Sequence, residues 1–320
     1  MATLGRMFGA SQTTTFLGLP PLSKLTGPAL ADLPPGAVIL GAAGCTPYLS
    51  VGFYCAEGPA AIRAASATYA ASLHHMNFDL GGPILPVGAA AFDAGDLAQD
   101  VGDAPGNRAR IREAVAAIIA HGSVPLLIGG DDSLPIPMIE ALGATGRRYT
   151  ILQIDAHIDW RDEVDGEPLG LSSTMRRASE MGHIERIIQI GQRGTGSARP
   201  EDYQAALDWG VDFIPAAEVA RAGVGRAPDL IPAGSDVILC FDVDALDPAI
   251  MPATIGRTAG GMSYWQVLGL IEAVAQKARI AAFDMVELMP ERDVDGLGAL
   301  TAAQLLAAVT GLVARQQVQK

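Results

Sequence analysis

Short apolar runs rich in Val, Ile and Leu recur along the chain at 37–40, 124–128, 150–154, 187–190, 236–241 and 279–283. Each has the length of a buried strand, and stretches with helical periodicity lie between them at 107–120, 136–142, 173–181, 203–209, 263–276 and 301–314. Strands and helices that alternate at these lengths predict a mostly parallel sheet covered on both faces, because parallel strands need crossover connections that pack back on the sheet. Ser263 is the expected N-cap of its helix. With 320 residues, 49% of them hydrophobic, the chain can bury one large core. Residues 1–35, rich in Gly, Pro, Ser and Thr, read as an N-terminal arm or extended segment on the fold or on a neighbouring subunit, and residues 36–320 as a single domain.

Four of the runs lead straight into carboxylates: Ile128 into Asp131 and Asp132, Ile154 into Asp155, Phe241 into Asp242, and Phe283 into Asp284 and Glu287. In an open parallel sheet the carboxyl ends of the strands share one edge, where ligand sites form. Acids far apart in sequence are therefore expected to meet in one cleft. In Asp155-Ala-His157-Ile-Asp159 the ligand-type side chains recur at every second position, so an extended segment presents all of them on one side. Asp242 and Asp244 repeat that spacing, while Asp247 before Pro248 suits a turn. So many buried carboxylates repel one another unless cations neutralise them, and each uncompensated ion costs several kcal/mol. Oxygen-rich ligation with one imidazole favours Mn²⁺, with Ni²⁺ or Zn²⁺ as alternatives.

Composition narrows the partners. A formal net charge of −13 disfavours nucleic acid and anionic membrane and suits a small cationic molecule. Three cysteines, Cys45, Cys55 and Cys240, have no metal-finger spacing and imply no disulfide framework. No N-terminal leader pattern stands out and no apolar run reaches membrane-spanning length, so a cytoplasmic protein is expected.

The chain resembles the ureohydrolases, the family of arginase, agmatinase and guanidinobutyrase, most closely a divergent agmatinase-like member. The resemblance rests on Gly58-Pro59 with Ile62-Arg63, Gly129-Gly130-Asp131-Asp132-Ser133, the Asp155 to Asp159 motif, Met175-Arg176-Arg177, the Asp242 to Pro248 motif with Pro252, and Glu287 before Pro290. It implies a three-layer α/β/α sandwich around an eight-stranded, mostly parallel sheet, and homotrimers or homohexamers. It further implies a two-metal centre whose bridging hydroxide attacks a guanidinium carbon, releasing urea or a substituted urea and an amine. By the same resemblance Asp155 and Asp242 bridge the ions, Asp159 binds one, and His157 with Asp244 binds the other. The resemblance further implies that Glu287 is catalytic and pairs with the substrate guanidinium. Asp159 is the second expected catalytic residue, with an ordered water, Ser172 or Ser173, or the substrate itself as other carriers of the proton. Ser172 and Trp160 are expected at the substrate, Trp160 equally as a packing residue.

Two departures each remove a histidine. Asp132 stands where the family usually has a histidine ligand, and the segment that carries a proton-relaying histidine in agmatinase-like members here reads Leu171-Ser172-Ser173-Thr174. Asp132 is expected to serve as the sixth metal ligand and to make the centre more anionic. His74, His75, His121 and His183 lie away from the strand ends and offer no replacement relay. The lost histidines also suit a second reading, a catalytically weak subunit supporting an active paralogue in a hetero-oligomer, as in metformin hydrolase-like enzymes. Intact bridging carboxylates argue against it. Arg161, Arg176 and Arg177 are candidates for a substrate carboxylate or a surface role.

Overall fold

The apolar runs form strands, and two further strands join them in one eight-stranded sheet of order β2-β1-β3-β8-β7-β4-β5-β6. The computed structural model describes residues 13–25 and 28–318. The strands are β1 (Ala37–Ala42), β2 (Ala91–Leu97), β3 (Val124–Gly129), β4 (Tyr149–Ile154), β5 (Ile184–Ile190), β6 (Asp212–Ile214), β7 (Asp236–Asp242) and β8 (Arg279–Val286). Every pairing between neighbouring strands is parallel. β1, β3 and β4 are buried along their whole length, which is why their sequences read as unbroken apolar runs.

Among the described residues, a four-residue helix α1 (Pro28–Ala31) is followed by nine helices that cover the two faces. On one face lie α2 (Gly58–Ser66), α7 (Ala216–Ala222), α8 (Arg226–Leu230), α9 (Tyr264–Lys277) and α10 (Leu297–Val318), whose buried Ile62, Val219, Ala227, Ile271 and Leu305 share one core with Ile39, Ile154 and Phe283 of the sheet. On the other lie α3 (Ala104–Ala120), α4 (Pro135–Leu142), α5 (Thr174–Ser179) and α6 (Pro200–Trp209), which close a second core with Val38, Leu127 and Ile151. The result is a three-layer α/β/α sandwich. Ser263 caps α9 as expected: its hydroxyl accepts from Gln266 N while the Gln266 side chain accepts from Ser263 N, a full capping box.

One expectation is corrected. The helix α10 is long and apolar enough to cross a membrane by length and composition, with a mean hydropathy of 1.8 over its most apolar window, and 78% of that window is buried in the fold. Gln304 and the Thr and Gly residues between its Ala and Leu positions mask the run in sequence. The helix is a core element, packed against α2 and α9.

Of the segment 1–35, residues 1–12 and 26–27 lie outside the described residues. Residues 13–25 lie on the fold. Phe16, Leu17 and Leu19 are buried in the first core. Asp93 on edge strand β2 accepts from Phe16 N at 2.7 Å and holds the guanidinium of Arg63 through Nε at 2.8 Å and Nη2 at 2.9 Å. A buried ion pair of this kind fixes geometry more than it adds net stability, since both partners lose hydration.

Candidate metal centre

Strands β3, β8, β7 and β4 are consecutive in the sheet although distant in sequence: the chains leaving β3 and β4 pass to α4 and α5 on one face, whereas those leaving the inserted β8 and β7 pass to α10 and α9 on the other. This is the topological switch at which open α/β sheets form ligand crevices. The acids at these four strand ends converge there. A cavity of about 270 Å³ opens on them, and its lining includes Asp132, His157, Asp159, Asp242, Asp244 and Glu287.

Two groups of ligand-type atoms stand close enough to hold cations: Asp155, His157 and Asp244, and Asp132, Asp155 and Asp159, each with its atoms within 4.8 Å of one another. Asp155 belongs to both. His157 Nδ1 lies 3.1 Å from Asp244 Oδ2 and 3.4 Å from Asp155 Oδ1. Asp242 is buried, lines the cavity and accepts from Asp244 N at 2.7 Å, but falls in neither group. Asp132 contributes an oxygen, Oδ2, that is buried without a hydrogen-bond partner, as is Asp131 Oδ2. Asp131 is otherwise spoken for: its Oδ1 accepts from Ser133 N at 3.0 Å and from the Ser133 hydroxyl, which closes the turn after β3. Asp247 fixes its turn as expected, accepting from the backbone N–H groups of Ala249, Gly260 and Gly261.

The electrostatics of this cluster demand compensation. Burial, reinforced by the neighbouring carboxylates, holds the carboxyls of Asp132, Asp159 and Asp242 well above the ordinary range, and burial raises Asp155 too. Burial opposes charge on His157, but the carboxylates of Asp155 and Asp244 overcome it and push the imidazolium up to about 12. Buried, mutually repelling oxygens with lone pairs unsatisfied fit divalent cations of the hard or borderline kind. Burial likewise raises Asp284 to about 7 and Glu287 to about 8. Without bound cations the folded chain therefore holds more protons than the unfolded chain between the ordinary carboxylate range and these values, and stability falls as pH rises through them. Asp236 and Asp244, shifted downward, finish titrating below this window. Chelator-treated protein is expected to melt about 5 °C or more lower near pH 9 than near pH 5. Divalent cations should remove most of that loss; a melting temperature that is flat or rises with pH would contradict the buried acid cluster.

Around the cluster lies a set of polar residues that the motifs do not announce. Gln153 Nε2 lies 2.7 Å from Asp155 Oδ2 and 2.7 Å from Asp159 Oδ2, and Gln153 Oε1 in turn accepts from Gln189. The alternation that marks Asp155, His157 and Asp159 runs one step further back, to Gln153, and that is the signal that finds it. Arg193 donates to the carbonyls of Asp244, Ala245, Leu246 and Thr258 and so pins the loop after β7. Glu287 is held from three sides. Its own N–H donates to Gly130 O at 2.8 Å, its Oε1 accepts from Asp132 N at 2.9 Å, and the Tyr54 hydroxyl lies 2.6 and 2.7 Å from its two carboxylate oxygens. No local pattern in the sequence points to Tyr54.

Asp159 and Glu287 both have left-handed backbones, with φ of 44° and 69°. For residues other than glycine this conformation costs on the order of 1 kcal/mol or more and persists where surrounding structure enforces it. Both are among the residues to which the sequence assigns chemistry. Trp160 lines the cavity but is only 2% exposed, and its ring packs edge-on against Trp209 at 6.1 Å. Leu171 and Ser172 line the cavity, and Ser172 N donates to the Tyr48 hydroxyl at 3.2 Å. Among the described residues His157 is the one histidine in the cavity lining. His74 and His183 reach the backbone carbonyls of Leu85 and Ile139, and His121 reaches Ser123 and Leu33 O. Arg177 pairs with Asp162 at 2.8 Å and Arg176 with Glu180 at 3.2 Å, away from the acids.

Fold and site together define a three-layer α/β protein with a carboxylate-rich candidate cation site at the carboxyl edge of its sheet. The sequence model of the arginase family matches residues 43–311, and the chain belongs to that family. It is 34% identical over 239 residues to the mitochondrial agmatinase of Gallus gallus, covering 68% of this chain and 67% of that one. It is 31% identical over 255 residues to the guanidinobutyrase of Pseudomonas aeruginosa, covering 72% and 76%. Among solved structures, proclavaminate amidino hydrolase from Streptomyces clavuligerus superposes with a TM-score of 0.77 at 27% identity, over 96% of this chain and 98% of that one. The resemblance read from the motifs, to the arginase and agmatinase ureohydrolases, therefore holds, as does the sandwich it implied.

Proposed function

We propose that the protein hydrolyses the linear amidine C–N bond of a small guanidino compound, releasing urea or a substituted urea and an amine, with two divalent ions as cofactors. The observation that carries this reading is the pair of ligand groups sharing Asp155 beneath a cavity that also contains Glu287. In our assignment Asp132, Asp155, His157, Asp159, Asp242 and Asp244 hold the ions, and Mn²⁺ fits this oxygen-rich set better than Ni²⁺. When bound, the ions supply Lewis acidity and an activated water as nucleophile. The chain's own residues do the rest. Glu287 accepts hydrogen bonds from the guanidinium and orients it in the cavity, with Tyr54 and the Asp132 N–H fixing the carboxylate. Asp159, whose carboxylate the Gln153 amide holds, takes the proton released by the attacking water and passes it to the leaving nitrogen. Gln153 bridges Asp155 and Asp159 and keeps the acid in position. Ser172 and the edge of Trp160 complete the substrate wall.

Further assignments belong to the same reading. Residues 36–320 are taken as the catalytic domain, with the described residues 13–25 of the preceding segment packed on it; the protein is cytoplasmic, in keeping with three buried free cysteines. It assembles as a homotrimer or homohexamer, for which the exposed Leu49, Phe78 and Val87 provide apolar surface. A subunit kept only to support an active paralogue would be under no constraint to retain Asp155 and Asp242. The test is a panel of guanidino substrates offered to purified protein loaded with Mn²⁺ or Ni²⁺, with urea and amine both quantified. Equimolar urea and amine from at least one substrate is the expected result; activity that appears only on adding a second gene product supports the hetero-oligomer instead.

A further inference from the structure

The inner end of the cavity is acidic and the outer end is not. Asp132, Asp159, Asp242, Asp244 and Glu287 line it near the strand ends, whereas Arg161, Arg199 and Asp202 line it on the segments leading into and along α6 and after Trp160. Arg199 is 3.8 Å from Asp202, so these two charges offset each other. Arg161 is half-buried, and its guanidinium makes no hydrogen bond or ion pair among the described residues, although Arg176 and Arg177 nearby in sequence both do. A half-buried guanidinium loses hydration without regaining hydrogen bonds, and its planar fork matches a carboxylate. Leu171 and Ile255 add apolar wall to the same cavity.

We propose that Arg161 is the specificity determinant of this site, and that the substrate class is an ω-guanidino carboxylate rather than a guanidino amine. This rests on the reading of the inner end as the guanidinium site. A zwitterion with its guanidinium inward and carboxylate outward meets opposite charge at both ends, with its methylenes along Leu171 and Ile255. An amine tail would place a second cation against Arg161, whose own charge has no ion-pair partner. The expectation of a simply cationic substrate is thereby narrowed to one that is cationic only at its reacting end.

The experiment measures calorimetric binding and hydrolysis of 4-guanidinobutanoate, agmatine and butylguanidine, which share a guanidinium and differ in the tail, with Mn²⁺-loaded protein. The guanidino acid is expected to bind about tenfold or more tighter than either of the others. Arg161→Gln should erase that advantage while leaving butylguanidine binding unchanged, and Arg161→Lys should retain part of it. Equal binding of the three, preference for agmatine, an acid preference that survives Arg161→Gln, or no binding of any of them overturns the proposal. Selective binding of the acid without hydrolysis of any probe would sink the hydrolase reading and leave the carboxylate assignment standing.

Discussion

Asp155→Ala is expected to empty both cation positions and to lower hydrolysis by about three orders of magnitude or more, since the ions supply several kcal/mol of stabilisation to the reaction and each 1.4 kcal/mol is about tenfold in rate. Asp155 is the residue common to the two ligand groups and is fully buried at the end of β4. It is also held in place, by the Gln153 amide at 2.7 Å and by His157 N at 2.6 Å, which fix its two oxygens. The substitution should not unfold the chain. It removes one of several mutually repelling buried acids, and the surrounding strand is fixed by β5 and β7 on either side. Elemental analysis of dialysed protein, beside a melting curve, reads both effects. Full metal content in the variant would show that the ions, if present, sit elsewhere.

Glu287→Gln should behave differently. Metal content is expected to stay as in the parent protein, while kcat/KM falls by about two to three orders of magnitude, the usual cost of removing one member of a desolvated charge pair. Glutamine keeps an oxygen for the Asp132 N–H and a polar end beside Tyr54, so the left-handed turn at residue 287 has the same local partners to hold it. What is lost is the negative charge facing the guanidinium. Steady-state kinetics and metal analysis on the same preparation separate this from the Asp155 result; a Glu287→Gln variant that loses metal, or that turns over normally, would remove Glu287 from the substrate role.

The central strands were legible because both faces of the sheet are covered, which forces near-continuous apolar sequence into β1, β3, β4, β7 and β8. The edges were not. Strand β2 reads Ala-Phe-Asp-Ala-Gly-Asp-Leu, loses burial after its third residue and carries a bulge against β1, while β6 has three residues. Edge strands satisfy only one neighbour and tolerate polar residues, so they leave no periodic trace. Helix α2 escaped for another reason: it opens with Gly58-Pro59 and is rich in alanine, a sequence that contains a turn signal at its first turn. At the site, the metal-type residues were visible because two-residue alternation at a strand end is a local property. Tyr54 was not, because it meets Glu287 across 233 residues from a turn with no pattern of its own. In sequence Arg161 is no different a candidate from Arg176 and Arg177, and only the geometry separates it from them, by leaving it without the ion-pair partners that the other two have.

Titrating metal-free protein with Mn²⁺ while following urea release from the best substrate tests the two-ion hydrolase most directly. The expected course is little activity at one ion per chain and a plateau at two, with Asp155→Ala flat throughout. A plateau at one ion per chain, or no urea at any ratio from a protein that demonstrably binds two, would contradict it.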